Sequence, residues 1–366
     1  MTLITKTSIT VVVSLFLTAC GGSSSPNTPT PPPSPPPTPP SGVVNTVYDA
    51  QITVEKLYLD GDAQLAGATD GFYWRANAEA SWENRSPVDA YVRGIAIIAP
   101  SHYIVALQPD GESPYSEPAP LYVTQDSGAS WNRINHDFGG SDHAPIYGLS
   151  YDQSSDSLYG IGMAAFAVSN SSATHWTLLD GDWDSIATGL HLIEPHPSQN
   201  IVWFGGQGAI ENGYLSRYST VDGQVTTWSD LFPNPSTYFG GLIHPSDTQT
   251  VIFGAEGGLA LSRDNGATWE KPLGDVDYTF YWDIVIDENG TLYTASYDKS
   301  GAEQPLEVLC SSDNGANWHS NDLSDEVAKG GVKSLMIVEL DTSTELYLGL
   351  WDNGIKSVAT SDLDCG

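Results

Sequence analysis

Three short segments of the chain place aromatic rings beside one another or beside carboxylates. They are Trp183 and Asp184, Tyr238 and Phe239, and Tyr281, Trp282 and Asp283. An aromatic ring can stack on the C–H face of a sugar, and a carboxylate can accept hydrogen bonds from sugar hydroxyls. The pattern therefore predicts a ligand-binding site at these residues. The alternative is that the rings fill the interior of the fold.

Glycoside hydrolysis needs two carboxyl groups, about 5 to 5.5 Å or about 6.5 to 9.5 Å apart. Asp184 and Asp283, each directly after a Trp, are the best pair for that reaction. His191, Glu194 and His143 are further candidates, but no zinc-specific spacing, phosphate-binding glycine loop or nucleophile elbow occurs. We predict no metal and no cofactor, with a structural divalent cation left open. Catalytic residues stay unknown.

A repeated octet indicates which elements must position these residues. It occurs as Thr124 to Trp131, Ser262 to Trp269 and Ser311 to Trp318. In each copy an Asp can accept turn amides, a Gly two residues later allows positive φ, and a Trp begins the outgoing strand. These residues are Asp126, Gly128 and Trp131, Asp264, Gly266 and Trp269, and Asp313, Gly315 and Trp318. Each octet is predicted to be a hairpin turn with a structural role.

The octets resemble the Asp-box (BNR) repeat of β-propellers, Ser/Thr-x-Asp-x-Gly-x-x-Trp, and the resemblance covers residues 45 to 364. Sialidases of this class need an Arg-Ile-Pro motif, which this chain lacks. Xyloglucan-cleaving hydrolases share runs like the one from Trp282 to Asp287, but they use two propellers. A lipid-anchored assembly factor of photosystem II is similar in size. The resemblance implies a fold and no single activity.

The Trp residues that end full and decayed octets set the expected number of blades. They are Trp82, Trp131, Trp176, Trp228, Trp269 and Trp318, at intervals of 41 to 52 residues, which suit a four-stranded blade. A further unit from Val332 to Ser357 lacks an outer strand, which Tyr48 to Val54 could supply. We predict an all-β, seven-bladed β-propeller with Asp-box hairpins, with six blades as the alternative.

The winding of such blades divides the loops between two faces. The octets share one face with the turns between the first and second strands. The aromatic and acidic segments lead into first strands and lie on the opposite face, named here the start face. Asp184 and Asp283 would lie two blades apart there, which favours binding over hydrolysis.

The chain has 13 Lys and Arg against 45 Asp and Glu, a formal net charge of −32. The resulting negative potential disfavours nucleic acid and anionic lipid as partners. It favours solubility, and the alternative is recognition of a basic protein or of divalent cations. We expect a monomer with one large domain.

The first 44 residues carry an export signal and a linker. The apolar run from Ile9 to Leu17 is too short to span a bilayer, and Leu17-Thr18-Ala19-Cys20 resembles the lipobox of bacterial lipoproteins. The resemblance implies lipidation of Cys20. We predict a signal peptide at 1–19, a Pro/Ser/Thr-rich stalk at 20–44 and a propeller at 45–366. An outer-membrane or cell-surface location is favoured over the inner membrane.

Cys310 and Cys365 are the only other cysteines. They could form a disulfide that closes a loop worth about 4 kcal/mol, or they could stay unpaired.

The leading functional hypothesis is a cell-envelope lipoprotein that displays a non-catalytic binding module for an extracellular glycan or protein. The alternatives are a glycoside hydrolase and an assembly-factor-like protein binder.

Overall fold

The computed structural model describes residues 43–109, 118–183, 189–208, 213–232, 237–298 and 303–366. These ranges belong to one compact unit, Pro39–Gly366. Cys20, with the predicted signal peptide and stalk, lies outside the described residues, and so does Asp184. Among the described residues, no helix is long and apolar enough to cross a membrane.

The described residues form 26 strands in six antiparallel sheets. The first two sheets are β2(Val54–Asp60), β3(Ala63–Ala68), β4(Gly71–Arg75), β5(Glu83–Asn84) and β6(Ala90–Ala99), β7(His102–Pro109), β8(Leu121–Thr124), β9(Asn132–Arg133). The next two are β10(Gly148–Asp152), β11(Ser157–Ile161), β12(Ala165–Ser169), β13(Thr177–Gly181) and β14(Gly189–Pro195), β15(Ile201–Gln207), β16(Gly213–Ser219), β17(Val225–Trp228). The fifth is β18(Tyr238–Ile243), β19(Val251–Ser262), β20(Val276–Ile286), β21(Leu292–Asp298), β22(Glu307–Ser311), β23(His319–Asp322), and the last is β24(Val332–Glu339), β25(Thr344–Leu350), β26(Ile355–Ala359), β1(Val44–Tyr48).

The sheets are arranged as the blades of a propeller. The innermost strands contact one another in the order β2, β6, β10, β14, β18, β20, β24, and β24 returns to β2. The chain is therefore an all-β, six-bladed β-propeller when blades are counted as hydrogen-bonded sheets.

The prediction of seven blades is wrong by this count. The fifth and sixth repeat units do not form separate sheets, because β19 pairs with β20 through Glu256↔Phe280 and Gly257↔Val276. They share one six-stranded sheet, while each of the other sheets has four strands. The Trp intervals reflect the length of a repeat unit but not the backbone pairing between two units.

The ring is closed by a strand from the start of the unit. β1 pairs antiparallel with β26, with Val44 opposite Val358 and Asn45 opposite Ser357. The exchange was predicted, but its residues are Val44–Tyr48 rather than Tyr48 to Val54, because Val54 already begins β2. The Glu326 carboxylate accepts the Val43 amide at 3.2 Å and the Val44 amide at 2.8 Å.

The three Asp boxes have the predicted turn geometry. In the second box, one Asp264 oxygen accepts the Thr268 amide at 2.7 Å and the other accepts the Thr268 hydroxyl at 2.6 Å. Asp126 and Asp313 make the equivalent bonds to the residue four positions later. Gly266 has a φ of 89°, in the region that favours glycine.

The box turns lie beside the turns between first and second strands, as expected. Ser127 of the first box donates its amide to the Ser101 carbonyl at 3.0 Å, and Asn265 donates to Gln249 at 2.8 Å. The aromatic and acidic segments, which lead into first strands, therefore begin on the other side.

An arginine links each full box to the preceding repeat unit. Arg85 donates to the Ser127 carbonyl at 2.9 Å, and Arg263 donates to the Asn314 carbonyl at 3.1 Å. Arg217 makes the same contact with Asn265. Each box thus ties two units together as well as closing its own hairpin.

The core is divided into clusters that lie between and within neighbouring sheets. In one cluster Trp203 is fully buried against Phe253, Trp228 and Trp269, with ring centroids 5.1 to 6.0 Å away. The octet Trp269 therefore packs into this cluster, as expected for a large apolar ring.

Cys310 in β22 and Cys365 near the end of the chain form a disulfide, with Cα atoms 5.1 Å apart. The bond joins the six-stranded sheet to the segment that follows β26.

Candidate functional site

A set of β-bulges lies along the inner strands at the start face. The pairing register shifts around Glu55 in β2, Arg93 in β6 and His191 in β14. It shifts again around Phe239, around Trp282 with Asp283, and around Lys333. A bulge leaves a residue unpaired and re-aims its side chain. The start face thereby receives a group of charged and aromatic side chains from six inner strands.

Several of these side chains line one cavity of about 230 Å³ in the middle of the ring. The residues that matter for its chemistry are Lys56, Arg93, Tyr147, His191, Glu194 and Phe239. A drug-sized pocket is usually about 300 to 1,000 Å³. The cavity is therefore suited to one small group, such as a single sugar ring.

Lys56 brings an unpaired positive charge to the cavity. Among the described residues, its ammonium makes no hydrogen bond and no ion pair. Burial would lower the pKa of Lys56, but the nearby ionisable groups of Tyr58, Asp283 and Glu194 outweigh burial and raise it. Lys56 is therefore a cation at neutral pH.

Glu194 and His191 face the same cavity from β14. Burial raises the pKa of Glu194 to about 8, the Lys56 charge opposes the rise, and the Asp283 charge adds to it. Burial lowers the pKa of His191 to about 3, and the cations Lys333, Arg93 and Lys56 act in the same direction. At neutral pH Glu194 keeps its proton and His191 is uncharged.

The polar atoms of Glu194 and His191 also have no hydrogen-bond partner in the described part of the chain. The His191 ring contacts aromatic rings instead: its centroid lies 5.3 Å from that of Phe239 and 6.3 Å from that of Tyr147. Lys56, Glu194 and His191 therefore line one cavity with polar atoms that make no hydrogen bond to a described residue.

Arg93 supplies a second cation at the cavity wall. Its Nε donates to the Gln108 side chain at 2.8 Å. The guanidinium lies 3.9 Å above the Tyr91 ring and 5.1 Å from the Tyr147 ring. Arg93 has no carboxylate within ion-pair distance among the described residues, so its charge is not neutralised by a direct contact.

Trp282 is covered on both ring faces. The Phe239 ring stacks on it with centroids 3.6 Å apart, and the Lys333 ammonium lies 3.2 Å from the Trp282 centroid. Two groups this close to one ring centre must lie on opposite faces. Trp282 therefore has no free face for a sugar, contrary to its expected role as a stacking platform.

Lys333 lies in an internal aromatic cage. Besides Trp282, its ammonium is 5.3 Å from the Tyr297 ring and 5.2 Å from the Trp351 ring. It also forms an ion pair with Glu55 at 3.4 Å, with both side chains largely buried. Burial lowers the pKa of Lys333 to about 8, against the effect of Glu55. This cation is already satisfied by protein groups.

Asp283 is engaged in holding strands together. One of its carboxylate oxygens accepts the Ser334 hydroxyl and the Leu335 amide, each at 2.9 Å, and the other accepts the Ile284 amide at 2.9 Å. Ser334 in turn accepts the Leu57 amide at 3.0 Å. The carboxylate thus joins β20 to β24, and Ser334 extends the link to β2.

The remaining predicted ligand residues lie elsewhere. Tyr238 and Tyr281 are buried at 0% and 3% exposure in the core, so they do not line the site. Trp183 packs edge-on against Phe138, with centroids 4.7 Å apart, and does not line the cavity. Of the predicted ligand residues, only Phe239 lines it.

His191 and Glu194 are candidates from the sequence that line the cavity, whereas Lys56, Arg93 and Tyr147 are not predicted from the sequence. Basic residues on first strands are unusual in so acidic a chain, and this could have indicated Lys56 and Arg93. No group of three or more potential metal ligands occurs among the described residues.

Comparisons with known proteins identify the fold. No family model matches the chain, and no curated protein matches it. Among solved structures, it is similar to the extracellular domain of a hybrid two-component system from B. thetaiotaomicron, with a TM-score of 0.62 and 13% identity. The match covers 86% of this chain and 39% of that one, so the chain spans well under half of that domain.

Two further solved structures are similar. YCF48 from Cyanidioschyzon merolae matches with a TM-score of 0.60 and 12% identity over 87% of this chain and 99% of that chain. An ancestral GH74 enzyme matches with a TM-score of 0.56 and 12% identity over 90% of this chain and 52% of that chain. At these identities the likeness establishes a β-propeller and does not specify a function.

Proposed function

We propose that this chain displays its propeller as a non-catalytic module that binds an extracellular glycan at the start face. The observation that carries the proposal is that Lys56, His191 and Glu194 meet at one cavity with polar atoms that no described residue uses. Buried polar groups are normally paired, so a site of this kind is complete only with solvent or a ligand. Phe239 and Tyr147 provide apolar wall beside the polar groups.

An envelope location supports this function. The disulfide between Cys310 and Cys365 is of the kind that persists in oxidising compartments. The lipobox-like Leu-Thr-Ala-Cys at Cys20 and the Pro-rich stretch after it would tether the propeller to a membrane and hold it away from the lipid. Outside the cytoplasm, glycans are abundant ligands.

The test is a glycan array probed with the purified full chain and with three variants. Lys56→Gln and Glu194→Gln should each lose binding of the same glycans. Lys271→Gln is the matched control, because Lys271 pairs with Asp275 at 2.6 Å on an exposed surface and not at the cavity. Binding that is equal in all four proteins would refute the site, and binding by none of them would refute the function.

A glycoside hydrolase is the second candidate, favoured by the raised pKa of Glu194, since a general acid must hold its proton near neutral pH. The Asp283 carboxylate is occupied by three donors, which argues against it as the second catalytic group. Release of reducing sugar from a glycan that binds, abolished by Glu194→Gln, would establish an enzyme. Capture of a protein with no glycan response would favour an assembly-factor-like role instead.

A further inference from the structure

We infer that the glycan bound in this cavity is acidic, and that a carboxylate or sulfate on a terminal sugar contacts Lys56. The inference rests on the proposed function and names the class of its ligand.

The charged and titratable side chains of the cavity bring more donors than acceptors to it. Lys56 offers three N–H donors, and protonated Glu194 offers an O–H. Neutral His191 offers one N–H and one acceptor nitrogen, and Arg93 has further N–H groups beyond those that reach Gln108. A ligand rich in acceptors matches these donors, and an anionic group supplies acceptors in the smallest volume.

The charges of the cavity also favour an anionic ligand. The chain has a formal net charge of −32, yet two cations without an ion-pair partner in the described residues line this one cavity. A neutral sugar would displace water from Lys56 and leave its ammonium with no anion in direct contact, which is costly in a confined site. A carboxylate or sulfate removes that cost.

Lys333, the third basic side chain of the start face, differs from Lys56 and Arg93 because it has an internal ion-pair partner. Lys333 already has Glu55 at 3.4 Å and three aromatic rings around it. The fold therefore provides an internal anion for one lysine and none in direct contact with Lys56. The difference marks Lys56 as the residue that a ligand anion would meet.

The cavity volume limits how much of the ligand is recognised. About 230 Å³ accommodates one sugar ring and not a chain. Phe239 and Tyr147 supply apolar atoms to the wall of the cavity. The terminal sugar enters the cavity, and the rest of the glycan extends away from the start face.

The experiment compares charged probes with neutral probes of the same sugar. Oligosaccharides that end in galacturonate, glucuronate or mannuronate are titrated into the purified full chain beside their methyl esters. A galactose-6-sulfate oligosaccharide beside unsulfated galactose separates sulfate from carboxylate recognition. We expect at least one acid to bind ten times more tightly than its neutral counterpart, or more.

Variants assign the preference to the cavity. Lys56→Gln should remove the difference between acid and ester, Lys56→Arg should keep most of it, and Lys271→Gln should leave it unchanged. Tight binding of neutral sugars that depends equally on Lys56 would overturn this inference and leave the proposed function standing. If no glycan binds, acidic or neutral, both fall.

Discussion

Lys56 and Glu194 influence each other's charge state in the cavity. Glu194 is in a buried channel next to another carboxylate, and a proton is the simplest way for it to avoid an unpaired negative charge. Burial lowers the pKa of Lys56, but its ionisable neighbours, chiefly Tyr58 and Asp283, raise it by more, so Lys56 stays charged. The site therefore keeps a positive charge at neutral pH.

This arrangement predicts a pH dependence of stability. The pKa of Glu194 rises from 4.5 to about 8 on folding, so the folded state binds more protons than the unfolded state between these values. The contribution of Glu194 to stability should therefore fall as pH rises through that window, while His191, whose pKa is lowered, acts in the opposite direction below its ordinary value of 6.5. Glu194→Gln removes the titration and should flatten the fall by about 1 to 3 kcal/mol, after allowance for solvent in the cavity.

Chemical denaturation at several pH values from 4 to 9 measures this effect. If the difference in stability between the variant and the parent protein did not change with pH, Glu194 would not titrate as described. Glu288→Gln, at a site near the β20–β21 turn that faces solvent, serves as the control.

The Asp boxes give a second prediction at the level of single residues. Hydrogen bonds from Thr268 and Ser262 lower the pKa of the Asp264 carboxyl. Its contribution to stability is therefore present at neutral pH and is lost as pH falls through the folded pKa. Asp264→Ala should lower Tm at pH 7 more than the exposed control Asp325→Ala does, and the two should converge in acid. Glycan affinity should be unchanged, and loss of binding at unchanged Tm would contradict a structural role.

At the scale of elements, the inner strands carry two functions at once. Their bulges aim Arg93, His191 and Lys333 at the start face, while the residues on either side keep the ladder bonds of the sheets. Asp283 belongs to the second function, since it accepts donors from β24.

Substitution of Asp283 should therefore act through strand packing. Asp283→Asn places an amide N–H₂ among donors and should reduce the free energy of unfolding by about 1 to 3 kcal/mol. Ser334→Ala removes one of the same bonds and should cost less, in the same direction. Equilibrium unfolding with urea would measure both. A stable Asp283→Asn protein that has lost its glycan would instead make Asp283 a ligand residue.

The elements also explain what could be read from the sequence. The octets predict their turns because Asp264 and Gly266 act within eight residues of chain. The role of Trp282 could not be predicted, because the residues that cover its faces, Phe239 and Lys333, come from β18 and β24. A bulge has no signature in an apolar pattern of period two, so the pattern does not predict that Arg93 faces the same cavity as Lys56.

At the scale of the whole molecule, the same limit applies to the blade count. Repeat spacing predicts a propeller and the approximate length of each unit. It does not reveal that β19 pairs with β20 and joins two units in one sheet, since that pairing depends on the local paths of two backbones. The strand exchange was predictable because a sheet edge left bare is unfavourable.

The attachment of the molecule to a membrane is a prediction at this scale. If Cys20 is acylated, Cys20→Ser should abolish processing at that residue and move the protein from the membrane fraction to the soluble one. Fractionation of cells followed by immunoblotting measures this, with Cys365→Ser as a control that removes a cysteine elsewhere. A Cys20→Ser protein that stays with membranes would rule out the lipid anchor.

The position of β1 has a mechanical consequence. The chain that precedes Val43 leads directly into the strand that closes the ring, so any pull on that chain reaches the propeller through β1. An antiparallel ladder resists a force along its strands with all of its hydrogen bonds together, and Glu326 adds two bonds at the loaded end. If β1 detached from β26 under tension, the propeller would open between its last sheet and its first. The seam that completes the ring is therefore the part of this molecule that bears such a load.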